Sequence, residues 1–298
     1  MIAIESFHQP KILKQALSLL AKLPNPKVLA GGTDLLAQLH RDSHLEHLRR
    51  RPPKSWMAKP VQLVDISRLE DLQQIWFENG KCRIGALMLH SELARQSQLI
   101  KQVSFLCEAA GRIGSPQIRN RGTIGGNIAN ASPCADTVPP LTCLHAEVVL
   151  QSANGIRRLP VEKVATASQQ TILNQDELLT EIIFALPTSN SIQFFRKLGQ
   201  RRGVAIAKLS VAFLAHRQAD RLSAMRIALG AVGPTVLLAE KTADFLTRKP
   251  LTRELLAAAK SICSGEAMPI DDLRSTRVYR AAMVGELLEM GLQPFLPA

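Results

Sequence analysis

The chain is poor in aromatic residues: Phe, Trp and Tyr together make up 4%, with a single tyrosine. It therefore lacks the rows of rings on which single-stranded nucleic acids stack. No helix-turn-helix, zinc-finger or RNA-recognition signature is present either, so nucleic acid is not an expected partner. No apolar run approaches the ~20 residues needed to cross a bilayer. The start, Met1 to Ser6, has neither the basic residues nor the apolar stretch of a signal peptide, and a cytoplasmic location is the expectation. The cysteines Cys82, Cys107, Cys134, Cys143 and Cys263 are few, odd in number and never spaced as C-x-x-C, which excludes a zinc ribbon or an iron–sulfur cluster within this chain. Four are expected to be buried and reduced, while Cys134 stands out because it lies in a glycine-rich segment. G-x-G-x-x-G, Walker and zincin motifs and a Ser-His-Asp set are all missing, so neither a Rossmann site nor a hydrolase is written here.

What is present is length and positive charge. At 298 residues the chain fits two or three sub-domains. The net charge is +12, densest at Arg49-Arg50-Arg51 and otherwise spread along the chain. Such a balance suits an anionic cofactor or an acidic partner subunit. His40, His44 and His47 fall at helical spacing, yet the neighbouring Arg41, Arg49, Arg50 and Arg51 repel a cation and no carboxylate completes a set. This stretch reads as a solvated excursion, and no metal site is assigned.

Periodicity gives a strand, helix, strand opening: an amphipathic helix over Ile12 to Leu20, then a short strand at Lys27 to Ala30. Later strands are expected at Val61 to Ile66, Lys81 to Ala86, Glu147 to Leu150, Ile156 to Leu159 and Leu178 to Phe184, with helices starting near His90, capped by Ser91, and over Phe105 to Ile113. Pro187 to Ser191 reads as a linker. Beyond it, three strands (Phe194 to Leu198, Ser210 to Ala215, Met225 to Val232) precede helices at 237–246, 253–261 and 278–290, the order of a separate α+β domain.

Two glycine segments carry the chemistry. The first, Ala30-Gly31-Gly32-Thr33-Asp34-Leu35, follows the apolar Val28-Leu29; the second runs from Arg119 to Asp136 and holds Gly122, Gly125 and Gly126. Without a Cβ the backbone can turn tightly and lie against a ligand. Successive N–H groups in such turns form anion-binding nests, which makes a phosphate or pyrophosphate the first ligand to consider. Two such loops, far apart in sequence, imply a ligand clamped from both sides. Asp34 at the start of a helix also has a capping role open to it.

Together the segments resemble the FAD-binding subunits of molybdenum hydroxylases, such as those of carbon monoxide and xanthine dehydrogenases. The matches are Val28 to Leu35, and Gln117-Ile118-Arg119-Asn120 through Thr123-Ile124-Gly125-Gly126-Asn127-Ile128 to Ser132-Pro133 and Asp136. Echoes follow in order along nearly the whole chain: Arg83 to Ala86, Phe195-Arg196-Lys197, Arg226 to Gly230, and Asp271 to Arg280. The resemblance implies an α+β chain. Residues 1–187 would form a two-part FAD-binding domain of the vanillyl-alcohol-oxidase (PCMH) type, with sub-domains about 1–58 and 59–187. Residues 192–292 would form a C-terminal domain of three antiparallel strands plus helices. It implies FAD contacts from Val28, Leu29, Ala30, Gly31, Gly32, Thr33, Asp34 and Leu35, and from Thr123, Ile124, Gly125, Gly126 and Asn127. Asp136, Ile113, Leu179 and Lys197 match further cofactor-lining positions, Lys197 placing a positive charge beside the flavin or its phosphates. No residue of this chain is assigned a catalytic role.

The function implied is electron transfer from a partner [2Fe–2S] subunit, fed by a molybdenum-cofactor subunit, through FAD to NAD or another acceptor. Two departures from the family pattern stand out. The excursion over residues 40–60 is long but contains no cysteine, so a cluster there is rejected; and Gly203 to Ala207 lacks the acid that several relatives carry after the basic pair Arg201-Arg202. A self-sufficient flavoenzyme of the same fold, with Cys134 or a histidine beside the ring, and a scaffold that has lost its cofactor are the alternatives.

Overall fold

A computed structural model describes the backbone of residues 4–48, 61–201, 203–219 and 221–297, and the side chains of these residues except 42–48. Arg49 to Arg51 and the side chains of His44 and His47 lie outside the described residues.

The chain opens with β1 (Ile4–His8), α1 (Leu13–Lys22), β2 (Lys27–Leu29), α2 (Leu35–Leu48) and β3 (Val61–Asp65). β3 sits between β1 and β2 and runs parallel to both. The division expected near residue 58 therefore falls inside this sheet. α1 places Ala16, Leu17 and Leu20 at helical spacing, and they bury against Val64, Ile66, Leu69 and Leu178.

The second sheet is antiparallel. β4 (Ile75–Glu78) and β5 (Lys81–Gly85) form a hairpin about Asn79-Gly80, both at positive φ as a tight primed turn requires. Short helices follow: α3 (His90–Leu93), α4 (Ser97–Gln102), α5 (Ser104–Gly111), α6 (Pro116–Arg119), α7 (Ile124–Ala129) and α8 (Val138–Cys143). Next come β6 (Glu147–Ser152), β7 (Gly155–Pro160), the small pair β8 (Ala165–Ala167) and β9 (Gln170–Thr171), and β10 (Leu178–Ala185). β10 closes the order β4-β5-β10-β6-β7 as its central strand. Its run Leu-Leu-Thr-Glu-Ile-Ile-Phe is apolar on both faces because helices cover one side and the loops and α1 the other. Ser91 lies within α3 rather than capping it; Leu89 precedes the helix and makes no side-chain cap.

The third unit begins at β11 (Ser191–Leu198), pairs it with β12 (Leu209–Gln218) and β13 (Arg221–Gly230), and adds β14 (Leu237–Leu238) at the edge. The fourth strand takes two residues from the helix expected over 237–246, which starts instead at Glu240 as α9 (Glu240–Leu246). Two residues are too few to show an alternation, so their pairing with Ala228 and Leu229 is a tertiary matter. α11 (Arg277–Leu292) packs on this sheet and α10 (Arg253–Glu266) packs on α11 and α9, the two long helices being capped by threonines, Thr276 and Thr252. One buried cluster belongs to this domain, while Phe195, Ala212 and Ala228 on the other face of its sheet join the core of the second sheet. No helix among the described residues is long and apolar enough to cross a membrane.

Candidate functional site

The two glycine segments meet. A Cβ on Gly31 would stand 1.9 Å from the carbonyl oxygen of Arg121, so the first loop lies backbone to backbone on the turn that enters the second. Gly32 holds φ at +73°, the left-handed region that favours glycine, and turns the chain from β2 toward α2. On the other side, Gly125 N–H donates to Ala86 O at 2.8 Å, and a Cβ there would lie 2.6 Å from that of Ala86. Glycine is thus required by close packing at both loops.

The donors of the two loops differ in use. In the second loop Thr123 Oγ1 accepts from Gly126 N–H at 3.1 Å and Thr123 O from Asn127 N–H at 2.9 Å. In the first, the N–H groups of Gly31, Gly32, Thr33 and Asp34 donate to no other group among the described residues. Half-buried backbone donors left this way call for an acceptor from outside the chain. Asp34 sits just before α2 and its carboxylate takes the side-chain amide of Gln38.

Both loops open onto one cavity of about 600 Å³, within the range usual for a cofactor site. It is lined by Val28, Ala30, Gly31, Gly32, Thr33, Asp34, Leu35, Ile113, Thr123, Gly125, Gly126, Asn127, Asp136, Leu179 and Lys197, which brings together residues expected from five separate parts of the sequence. Two expected residues do not reach it. Ile124, the first residue of α7, is fully buried in the core, and Leu29 points its side chain toward Gly32 from within β2. Both alternate with residues that do line the wall, which is how a strand and a tight helix turn divide their side chains between two faces.

Asp136 and Lys197 form a buried ion pair across the domain boundary, Nζ to Oδ2 2.5 Å, and Lys197 also donates to Arg112 O at 3.1 Å. Burial pushes the Asp136 carboxyl up to about 6, against the opposing pull of Lys197. Its second oxygen, Oδ1, is buried with no partner among the described residues. Asn127 Oδ1 accepts from Thr137 Oγ1 at 2.7 Å, which leaves its amide nitrogen as the group able to donate elsewhere.

His90, Ile118, Leu178 and the exposed loop Val204 to Ile206 also line the cavity, although none of them is among the residues expected to contact FAD. His90 is 2% exposed, its ring edge lies against Gly122, and burial with the nearby Arg119 pulls its pKa down to about 4. It is a neutral ring at physiological pH. Its position four residues after Ala86 was the available signal, since the segment Arg83 to Ala86 leads straight into the wall. Cys134 lines the cavity too, with Sγ 2.9 Å from Arg274 Nη1. Burial pushes the thiols of Cys82, Cys107, Cys143 and Cys263 up to about 12, as befits inert core residues.

The chain matches the family model of the FAD binding domain in molybdopterin dehydrogenase over residues 52–188, and that of the CO dehydrogenase flavoprotein C-terminal domain over 194–294. It is 31% identical to the carbon monoxide dehydrogenase medium chain of Hydrogenophaga pseudoflava across 96% of this chain and 95% of that one. It is 29% identical to the xanthine dehydrogenase FAD-binding subunit of Escherichia coli O157:H7 across 95% and 93%. A solved structure of the carbon monoxide dehydrogenase from Hydrogenophaga pseudoflava superposes with a TM-score of 0.88 at 31% identity, over 98% of this chain and 97% of that chain.

Proposed function

Because this chain belongs to the FAD-binding subunits of the molybdenum hydroxylases, we propose that it passes electrons from a partner [2Fe–2S] subunit through FAD to a nicotinamide or another acceptor. It is an oxidoreductase subunit and its cofactor is FAD. When bound, FAD supplies the ability to accept electrons singly and release them in pairs. The molybdenum cofactor and the clusters belong, on this reading, to separate subunits, in keeping with the absence of any C-x-x-C pair.

One observation carries the reading: two glycine loops touch backbone to backbone at a single cavity, with four unused N–H donors on one side and an unpaired carboxylate oxygen on the other. The residues fit FAD. Gly31 to Asp34 present donors suited to pyrophosphate oxygens. Thr123 fixes the second loop by accepting from Gly126, and its hydroxyl hydrogen is then directed away from that bond. Asp136 Oδ1 is an acceptor for ligand hydroxyl groups, held in place by the Lys197 ammonium. Ile113, Leu178 and Leu179 give apolar walls that exclude water from a flat ring system. The chain's own part is to bind, orient and shield; the Lys197 ammonium is paired with the Asp136 carboxylate and fixes that acceptor on the cavity wall.

Purified protein tests the reading directly. Oxidised-flavin absorbance near one equivalent per chain is expected, and so is bleaching of that absorbance by substrate only when the [2Fe–2S] and molybdenum subunits are present. A colourless protein that also refuses added FAD would overturn it.

A further inference from the structure

His90 is fixed on the wall of the cofactor cavity through its backbone. The segment from Ala86 to His90 runs antiparallel to the entry of the second glycine loop, with Ile124 N–H donating to Met88 O and His90 N–H to Gly122 O, both at 3.0 Å. The ring itself is packed to 2% exposure, yet no hydrogen bond among the described residues reaches either of its nitrogens. A buried polar group without a partner calls for an explanation.

The two nitrogens differ in surroundings. Nδ1 is enclosed by protein with nothing to bond. Nε2 is not enclosed, and the void that the ring lines is the cofactor cavity. Burial and the charge of Arg119 keep the ring neutral, so it carries a single N–H. A hydrogen on Nδ1 would be a buried donor with no acceptor, which costs more than an unused lone pair. The hydrogen therefore belongs on Nε2, facing the cavity.

The position of Nε2 along the cavity follows from Gly122. A Cβ there would stand 3.1 Å from His90 Cδ2, the carbon bonded to Nε2, and 3.5 Å from Thr33 Oγ1. The donor edge of the ring thus lies at the seam of the two loops, near Thr33 and the unused N–H groups of Gly31 to Asp34. The carboxylate of this stretch, Asp34, is turned onto the Gln38 amide. An imidazole N–H, a hydroxyl and several backbone amides at one seam suit a ligand with adjacent anionic oxygens.

We propose that His90 donates from Nε2 to the pyrophosphate of the cofactor, and so helps the site select a dinucleotide over a mononucleotide flavin. This rests on the FAD-binding reading above and extends the contact from the glycine backbones to a side chain outside both loops.

The test uses the full chain freed of cofactor, titrated with FAD and with ADP, which carries a pyrophosphate without the flavin. His90→Phe keeps the shape of the ring and the backbone bonds but offers no donor, and it should weaken both ligands roughly ten- to a hundredfold. His90→Gln places an amide N–H near the position of Nε2 and should recover most of that loss. His90→Asn, whose amide matches Nδ1 instead, should not. Because phenylalanine also removes the unpaired Nδ1, cofactor-free His90→Phe should melt at or above the wild-type temperature. Nitrogen NMR of labelled histidine should show the Nε2–H tautomer, with the Nε2 signal moving when ADP is added.

A His90→Phe protein that holds FAD and ADP as tightly as wild type would overturn the assignment. So would weaker binding that comes with a lower melting temperature of the cofactor-free protein, which would make His90 a packing residue. A loss confined to FAD, with ADP unaffected, would move the contact away from the pyrophosphate and overturn it equally. Wild-type protein that binds neither ligand would instead overturn the FAD-binding reading on which the assignment stands.

Discussion

Lys197 Nζ sits 2.5 Å from Asp136 Oδ2, tying the second glycine segment to the first strand of the C-terminal domain. Both side chains are nearly buried, at 8% and 5% exposure. The pair therefore ties the cavity wall across two domains that also share a core through Phe195, Ala212 and Ala228. Removing one member of such a pair leaves the other as an uncompensated buried charge.

Lys197→Met should accordingly destabilise the protein by about 3 kcal/mol at pH 8. The Asp136 carboxyl, already raised to about 6, rises further once the ammonium is gone. A carboxyl raised in the fold carries its penalty above its folded pKa and sheds it as the pH falls and a proton binds. The loss should thus be much smaller at pH 5, and the double variant with Asp136→Asn should recover part of it at pH 8. Urea midpoints at the two pH values decide this; equal losses at both would show that the charge of Asp136 is not what suffers.

Gly31→Ala should strip the protein of FAD. The new methyl would fall 1.9 Å from Arg121 O, so the two loops must separate. Gly155→Ala, where nothing lies within 4 Å, serves as the control and should keep full flavin content. Flavin-to-protein absorbance ratios after gel filtration give the answer. A fully loaded Gly31→Ala protein would mean that contact between the loops does not matter for binding.

His90 should make the fold sensitive to acid. Its pKa is pulled from 6.5 to about 4 by burial, so between these values the unfolded chain holds a proton that the folded chain refuses. Stability then rises with pH through that window, and the ring costs about 2 kcal/mol at pH 5 relative to pH 7.5. Asp136 acts in the opposite sense between 3.8 and about 6, which masks part of the effect in the parent protein. The comparison that isolates the histidine is His90→Gln against wild type at pH 7.5 and 5. The variant should lose less on acidification; parallel losses would show that His90 is protonated in the fold.

Cys134 should be the one thiol that reports on the site. The other four cysteines are buried, while Cys134 is half-buried on the cavity wall. Brief treatment with N-ethylmaleimide should label one cysteine per chain in cofactor-free protein, and bound FAD should slow that labelling. Peptide mass spectrometry identifies the residue. Labelling at Cys134 that is indifferent to FAD would place the thiol away from the cofactor.

Much of the site was legible because its residues are constrained locally. A glycine pair after a short apolar strand, and a second glycine turn ending in Asp136, need particular backbone geometry and so leave a mark in the sequence. Lys197 was legible only through family resemblance, since a lone lysine in a strand has no pattern of its own. Leu29 and Ile124 show the limit of reading a motif as a block. Within a continuous match, neighbouring side chains go to different sides: Ile124 is fully buried in the core, while Leu29 turns toward Gly32. The edge strand Leu237–Leu238 was hidden because two residues show no period.

By itself the sequence determined the opening strand and helix, the long strands of the two later sheets, the two glycine turns and the absence of any cluster-binding cysteine pair, because each depends on residues within a few positions of one another; the short elements, such as the strand Ile75–Glu78 and the helix Val138–Cys143, carry too few residues to show a period. Only the tertiary structure decided that Gly31 rests on Arg121, that Asp136 meets Lys197 and that His90 becomes a neutral wall of the cavity. These pairings join positions distant in the chain, and their energies come from burial and desolvation, which no local pattern records.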